Sequence, residues 1–309
     1  MDALVALRSA VRAALGKFSP GDLIVVAVSG GADSLALAAA AKLEADKLTL
    51  KLIGITIDHQ LQAGSELQSQ KVVQQLAFPC EIRKVNVELT DGLEASARRA
   101  RYQALEEFAK SKGAVGILLG HTKDDQAETV LLGLARGSGA RSLSGMAIEN
   151  GIYLRPFLNI TRAETEAACK ELNLEPWNDP HNEDLNFLRV RVRKNVLPNL
   201  EQELGPGISD ALVRSAALLR DDADALDKLA NEFWQSDSSL EIEPLLQLPK
   251  AIRTRVLRIA LFETGVTQLS ADQVGQVEAL ISNWKGQGEV SLPAGVKVSR
   301  ISGRLTLSK

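Results

Sequence analysis

Apolar and polar positions fall into regular blocks along the first part of the chain. Leu4, Leu7, Val11 and Leu15 recur at helical spacing from Ala3 to Leu15, an amphipathic opening helix that Gly16 ends. Pro20-Gly21-Asp22 turns the chain into Leu23 to Val28, six apolar residues in a row that predict a strand covered on both faces. A helix rich in Ala and Leu is expected from Ser34 to about Leu43, and a second strand from Leu48 to Ile57. The pattern continues with a helix from Ser65 to Leu76, a strand around Glu81 to Val87 and a long helix from Leu93 to Ser111. Val115 to Leu119 reads as a fourth buried strand, and Asp124 to Leu134 as the helix after it. This alternation predicts an α/β fold, a doubly wound, Rossmann-like parallel sheet. Its ligand site belongs beyond the carboxyl ends of the strands, where Ser29 onward, Asp58 and His121 all fall.

Beyond Tyr153 to Phe157 the pattern gives one more helix, Thr161 to Leu172, then a loop rich in Pro and Asn. Pro198 and Gly205-Pro206-Gly207 break it, which sets the expected domain boundary: residues 1–204 as an α/β catalytic domain and 205–309 as a smaller, mainly helical one. The second domain opens on a long helix, Ile208 to about Trp234, with Leu212, Leu218, Leu219, Leu226 and Leu229 available for a core. Helices follow near Pro249 to Glu263 and Ala271 to Asn283. The tail from Glu289 to Leu307 alternates like two short strands.

Composition narrows the functional classes. With 45% hydrophobic and 24% charged residues over 309 positions, the chain is an ordinary globular protein with enough length for two cores. A net charge of −3 argues against coating nucleic acid by charge alone, while leaving room for a local basic patch. Cys80 and Cys169 sit far apart in no metal-ligand spacing, which points to a reducing compartment and gives no support for a zinc or iron–sulfur site. No apolar run reaches membrane-spanning length and no signal-peptide pattern opens the chain, so a cytoplasmic protein is expected.

Three stretches carry candidate chemistry. In Ser29-Gly30-Gly31-Ala32-Asp33-Ser34 the glycines let the main chain approach a ligand, and the N–H groups of the loop and of the first helical turn converge on one spot suited to an anion. Ser29 and Ser34 can add hydroxyl donors. Asp33 repels phosphate unless a divalent cation sits between them, so the loop reads as a phosphate and Mg2+ site, or else as a plain glycine-rich turn at a helix N-cap. It lacks the Walker lysine and resembles the PP-loop of ATP pyrophosphatases, which cleave between the α- and β-phosphates. In the second stretch, Gly120 to Thr129, Asp125 and Glu128 share a helix face with His121 beside them. Two carboxylates and an imidazole suit metal holding, proton transfer or capture of a cation, or simply an acidic first turn. The third stretch runs from Asp179 to Lys194. Its cations Arg189, Arg191, Arg193 and Lys194 can meet nucleic-acid phosphates, and the alternation of Arg with Val also fits an amphipathic strand with a basic face. Glu94, Arg98 and Arg101 fall on one side of a helix and read, taken alone, as a solvated face.

In this order the motifs closely resemble those of the tRNA(Ile)-lysidine synthetase family. The resemblance rests on Ser29–Ser34, Asp58–Gln62, Glu94–Tyr102, Gly120–Thr129 with Arg136–Gly139, Arg155–Leu158 and Asp179–Arg193. Gln62 stands where the family has Arg, Phe157 where it has Leu, and Val190 where it often has Asn. The resemblance implies two steps on the wobble cytidine of an isoleucine tRNA with a CAU anticodon: ATP adenylates O2, then the ε-amine of lysine attacks C2 and expels AMP. It further implies that residues 29–34 hold ATP with Mg2+ at Asp33, that Arg101 approaches the phosphates, and that Asp125 and Glu128 hold the lysine ammonium beside His121. Likeness to the shorter family members implies a homodimer. Two other readings remain: a different PP-loop ligase or tRNA thiolase, and a catalytically silent nucleotide- or RNA-binding protein.

Overall fold

The structure, a computed structural model, describes residues 3–58, 65–85, 93–137, 139–267 and 269–309. Residues 59–62, Val87, Ser138 and the side chain of Glu94, all named above, lie outside the described part. The chain divides into two compact units, Met1–Gly137 with Gly145–Ala216, and Ser138–Ser144 with Ala217–Lys309.

The first unit begins with α1 (Ala3–Leu15), β1 (Leu23–Ala27), α2 (Ala32–Leu48), β2 (Lys51–Asp58), α3 (Ser65–Gln74), β3 (Cys80–Lys84), α4 (Leu93–Lys112), β4 (Gly116–Leu118) and α5 (Lys123–Ala135). After α6 (Ala140–Leu143), a segment of the second unit, it resumes with β5 (Glu149–Asn150), β6 (Tyr153–Leu154), α7 (Arg162–Glu171), α8 (Leu188–Arg191) and α9 (Leu197–Leu204). The sheet order is β3-β2-β1-β4-β6-β5, parallel throughout except for the β5–β6 hairpin. β1 lies at its centre, with Ile24 opposite Leu52 on one side and Gly116 on the other. Both faces are covered, as the unbroken apolar run predicts. Ile24 and Val26 pack with Leu7, Leu15, Leu35 and Leu37, while Val25 packs with Ile55, Leu105, Phe108 and Ile117 on the opposite face.

Three differences from the expected elements have local causes. α2 runs past Leu43 because Lys42 pairs with Asp46 one turn on, and because buried Glu44 is clasped by Arg8 and Arg12 of α1. Thr49, left-handed at φ 58°, then ends it, so β2 starts at Lys51 rather than Leu48. The β5–β6 hairpin adds two strands that the sequence pattern did not assign. The basic stretch is no strand: α8 continues into a π-helical turn, Val192–Val196.

α10 (Ile208–Ser236) starts in the first unit and ends in the second. Ala216, Ala223 and Ala230, seven apart, form its fully buried stripe, whereas Leu218 and Leu229 lie off that stripe and are exposed rather than core. The second unit adds α11 (Ile242–Gln247), α12 (Lys250–Glu263) and α13 (Ala271–Ser282). The tail forms three antiparallel strands rather than two: β7 (Val290–Ser291), β8 (Lys297–Ile301) and β9 (Arg304–Ser308). Leu245, Val256, Leu257, Leu280, Val298 and Leu305 share its core. Among the described residues no helix is long and apolar enough to cross a membrane.

Candidate active site

The loop between β1 and α2 is folded by Ser34. The N–H groups of Ser29 and Gly30 both donate to its Oγ at 3.1 Å, and its hydroxyl donates to the Gly31 carbonyl at 2.9 Å. In this arrangement the Ser34 hydroxyl shapes the loop instead of facing outward. Gly30 sits at φ +91°, and a Cβ there would come within 2.4 Å of Val72 Cγ2, so only glycine fits. Gly31 is the N-cap of α2 with no side-chain cap, which leaves the first-turn N–H groups for a ligand.

β4 delivers the second motif to the same spot. Its end lies so close to the loop that a Cβ on Gly120 would be 3.1 Å from the Asp33 carbonyl oxygen. Thr122 then caps α5 in a reciprocal box with Asp125, whose Oδ2 accepts from the Thr122 N–H at 2.9 Å. The cap accounts for one oxygen of Asp125, while Oδ1 faces Arg162 at 3.2 Å and Arg193 at 3.4 Å. Glu128, one turn on and fully buried, takes two bonds from Arg193, at 2.6 and 3.1 Å. Arg189 Nε is 3.7 Å from the same carboxylate.

Asp33 is held apart from ordinary carboxylates. Its Oδ1 accepts from the Thr165 hydroxyl, and Arg162 lies 3.6 Å from Oδ2. Burial outweighs both and pushes its pKa up to about 6. Burial also raises Glu128, against the pull of Arg193. Asp125 behaves differently: burial pushes it upward, but Arg162, the Thr122 N–H, His121 and Arg193 together hold it below the usual range. Burial, aided by the cations Arg101, Arg155 and Arg98, drops His121 to about 3, so the imidazole is neutral at any working pH. Its Nδ1 is buried with no hydrogen-bond partner among the described residues, as are Arg155 Nε and Arg189 Nε.

A cavity of about 640 Å3 joins these groups, lined by Ser29, Gly31–Ser34, Ile55–Asp58, Arg101, His121, Asp125, Arg162, Trp177, Arg189 and Arg193 among others. Arg101 makes no hydrogen bond or ion pair to a described residue; its guanidinium lies 5.7 Å from the Tyr102 ring. A second cavity of about 190 Å3 lies against Asp124, Glu128, Arg162, Arg193, Leu197, Pro198, Glu201 and Ser209. Buried donors without partners beside buried cations mark a site built to receive a polar, anionic ligand. For a metal the donor set is narrow. Among the described residues no three His, Cys, Asp or Glu side chains group to cage an ion. One desolvated carboxylate beside a phosphate-sized opening suits Mg2+, which takes one or two carboxylates and completes its shell with phosphate oxygens and water.

The structure thus brings Ser29, Gly31–Ser34, Arg101, His121 and Asp125 around the larger cavity, with Gly30 in the loop behind it, while Glu128 lines the smaller one. It divides the basic stretch. Arg189 and Arg193, four apart on a helix, turn inward to Glu128. Arg191 is exposed and donates to the Leu185 and Asn186 carbonyls, and exposed Lys194 pairs with Glu183. Arg162 and Thr165 were not anticipated. Their only local signal is the capping box of Thr161 with Glu164, which announces a helix start and nothing about its neighbours.

Comparison with known proteins agrees with this architecture. Residues 6–200 match the family model described as a PP-loop domain, and residues 240–306 match the TilS substrate binding domain. Among solved structures, the U34-tRNA thiolase NcsA from Methanococcus maripaludis with its [4Fe-4S] cluster superposes with a TM-score of 0.59. It is 19% identical over 71% of this chain and 80% of its own, a likeness of fold. A tRNA(Ile)-lysidine synthase from Thermobifida fusca is 47% identical, covering 98% of this chain and 96% of its own length. One from Streptomyces coelicolor is 48% identical over 92% of this chain and 85% of its own. With a PP-loop domain covering more than half of its length and near-full-length relatives at such identity, the chain belongs to the tRNA(Ile)-lysidine synthase family.

Proposed function

We propose that the protein ligates L-lysine to C2 of the wobble cytidine of an isoleucine tRNA with a CAU anticodon, changing its reading from AUG to AUA. The observation that carries this is the meeting of an anion-receptive loop and a cation-receptive carboxylate pair at two adjoining cavities: Gly31–Ser34 and Asp125 line the larger, and Glu128, one turn on from Asp125, lines the smaller. In the first step cytosine O2 attacks the α-phosphorus of ATP and pyrophosphate leaves. The loop N–H groups and Arg101 face the phosphates and stabilise the charge that grows on the leaving group. Asp33 would hold Mg2+, which neutralises phosphate charge.

In the second step lysine Nε attacks C2 and the bond from C2 to the AMP oxygen breaks. The amine must first shed a proton from its ammonium form. Glu128, raised by burial, is suited to accept one, and neutral His121 offers an unpaired Nδ1. The smaller cavity, with Asp124, Glu128 and Glu201 in its wall, suits the lysine. Exposed Arg191 and Lys194 would meet tRNA phosphates, and Arg189 and Arg193 would hold Glu128. Likeness to the shorter family members supports a homodimer, which sedimentation of the free protein tests. Sulfur chemistry fits poorly. Neither cysteine lines the cavity, and burial pushes the Cys169 thiol up to about 11.

Incubation with ATP, labelled lysine and an isoleucine tRNA transcript tests the reading. Label enters RNA, with release of AMP, only when all three are present. Label without ATP, or none with it, overturns the proposal.

A further inference from the structure

Arg162 occupies a position that none of the reaction steps above uses. Among the described residues that line the two cavities, only Arg162 and Arg193 belong to both, so these guanidinium groups form the partition between them. The two are held very differently. Arg193 is locked on Glu128 by two bonds at 2.6 and 3.1 Å. Arg162 lies among three carboxylates with a single hydrogen bond to them, Nη2 to Asp125 Oδ1 at 3.2 Å, and stands 3.6 Å from Asp33 and 3.9 Å from Glu128. Its backbone is nevertheless fixed, since its N–H donates to Asp124 Oδ2 at 2.8 Å and it begins α7 behind the Thr161 cap. The anchor is rigid and the charged tip is shared.

A buried carboxylate cluster without a counter-charge is costly, so the free protein needs a cation there. An amine entering the smaller cavity meets Glu128 in its wall, while Asp125 lines the larger cavity across the partition. To reach the larger cavity it must pass the partition. We propose that Arg162 is an internal stand-in for the lysine ammonium, a positioning residue that neutralises Asp125 and Glu128 until the substrate cation displaces it. Displacement admits only side chains that bring a charge of their own, so Arg162 sets the requirement for a cationic substrate as well as the resting state of the site. Arg193 stays in place and keeps Glu128 oriented while the exchange occurs.

The inference rests on lysine being the second substrate, and the experiment separates the two. L-Lysine and L-norleucine, which lacks the ε-amine, are titrated into the tRNA-free parent, Arg162→Gln and Arg162→Lys by calorimetry, with thermal unfolding in parallel. Removing a competing cation makes Arg162→Gln bind lysine roughly tenfold more tightly than the parent, with a larger lysine-dependent rise in Tm. Arg162→Lys, which keeps the charge, stays near the parent, and norleucine stabilises none of them. Equal or weaker lysine binding by Arg162→Gln overturns the role of Arg162 while leaving lysine as substrate. Absence of lysine binding in both proteins overturns the substrate reading itself. If Arg162→Gln does not fold alone, it is refolded with each amino acid. Recovery with lysine and not norleucine supports the stand-in, and no recovery with either overturns it.

Discussion

Arg253 with Glu278 in the second unit and Arg193 with Glu128 in the first are the same chemical pair, an arginine and a carboxylate taken out of water. The first of these is closed. Arg253 gives Nε and Nη2 to Glu278 Oε1 at 3.0 and 2.5 Å and Nη1 to the Leu248 carbonyl at 3.0 Å. Ser282 donates to the remaining Glu278 oxygen at 3.0 Å. Around Glu128 three arginines converge at 2.6 to 3.9 Å and Asp33 and Asp125 add negative charge, while nearby buried nitrogens of His121, Arg155 and Arg189 make no hydrogen bond among the described residues. A closed network stabilises by using every donor. An open one leaves charge and hydrogen-bonding capacity for a ligand, at a cost to the folded state.

The sharpest way to break the comparison is Asp33→Ala. The desolvated carboxylate at the loop has no structural duty comparable to that of Glu278, so its loss abolishes pyrophosphate release with the fold intact. A fall of about a thousandfold, roughly 4 kcal/mol, is expected from single-turnover release measured alongside circular dichroism. Near-parent turnover would place Asp33 among structural residues. Glu278→Gln tests the other side. It leaves Arg253 buried with a poorer partner and lowers unfolding free energy by about 3 kcal/mol, read by urea denaturation. Lysine binding measured below the transition stays unchanged, whereas a change would mean that the second unit's closed pair serves the site.

Next in size is Glu128→Gln. Loss of one charge costs about 1.5–3 kcal/mol in a charge-assisted bond to the ammonium, or roughly tenfold or more in apparent lysine affinity. Pyrophosphate release without lysine, followed by rapid quench, changes much less. A variant slow in release yet normal in lysine dependence would move Glu128 to the adenylation step.

How much of this was legible in the sequence follows from how local each signal is. The loop announces itself because glycines at fixed places between a strand and a helix have few other uses. Asp125 and Glu128 are legible because a three-residue separation puts them on one helix face. Arg162 is not, because its own neighbourhood fully explains it as the first residue after a cap. Its meaning arises only when β6 and α7 set that cap beside α5 and the loop. The basic stretch misleads for a different reason. Arg and Val alternating at period two mimic a strand. In the helix the chain adopts, Arg189 and Arg193 share one face and Arg191 falls away from it. Spacing of four between Arg189 and Arg193 was the available clue.

Acidity offers a finer probe of the open site. The folded Asp33 pKa of about 6 lies above its ordinary 3.8, so the folded protein holds this proton more tightly than the unfolded chain. The associated stability is full below about pH 4 and is lost as pH rises through 6. Asp33→Asn removes the penalty, and at pH 8 without nucleotide or metal it exceeds the parent by about 2 kcal/mol in urea denaturation. The two converge toward pH 4. A constant difference across that range would mean that the carboxylate is not the titrating group.

The smallest effect separates outward from inward arginines. Arg191 is exposed, bonded among the described residues to two carbonyl oxygens at 2.8 and 3.0 Å through one nitrogen, which leaves its other N–H groups for a phosphate. Arg193 is spent on Glu128. Arg191→Ala therefore weakens tRNA binding only a few-fold at low salt, less than about 1 kcal/mol, because one exposed phosphate contact is worth little. The deficit fades as salt rises, and the slope of log affinity against log salt flattens by about one unit. Lysine affinity stays at the parent value. Arg193→Ala behaves oppositely: its effect falls on lysine affinity and persists in salt, since a buried pair is screened far less. A salt-sensitive tRNA defect in Arg193→Ala with none in Arg191→Ala would reverse the division that the helix imposes on this stretch.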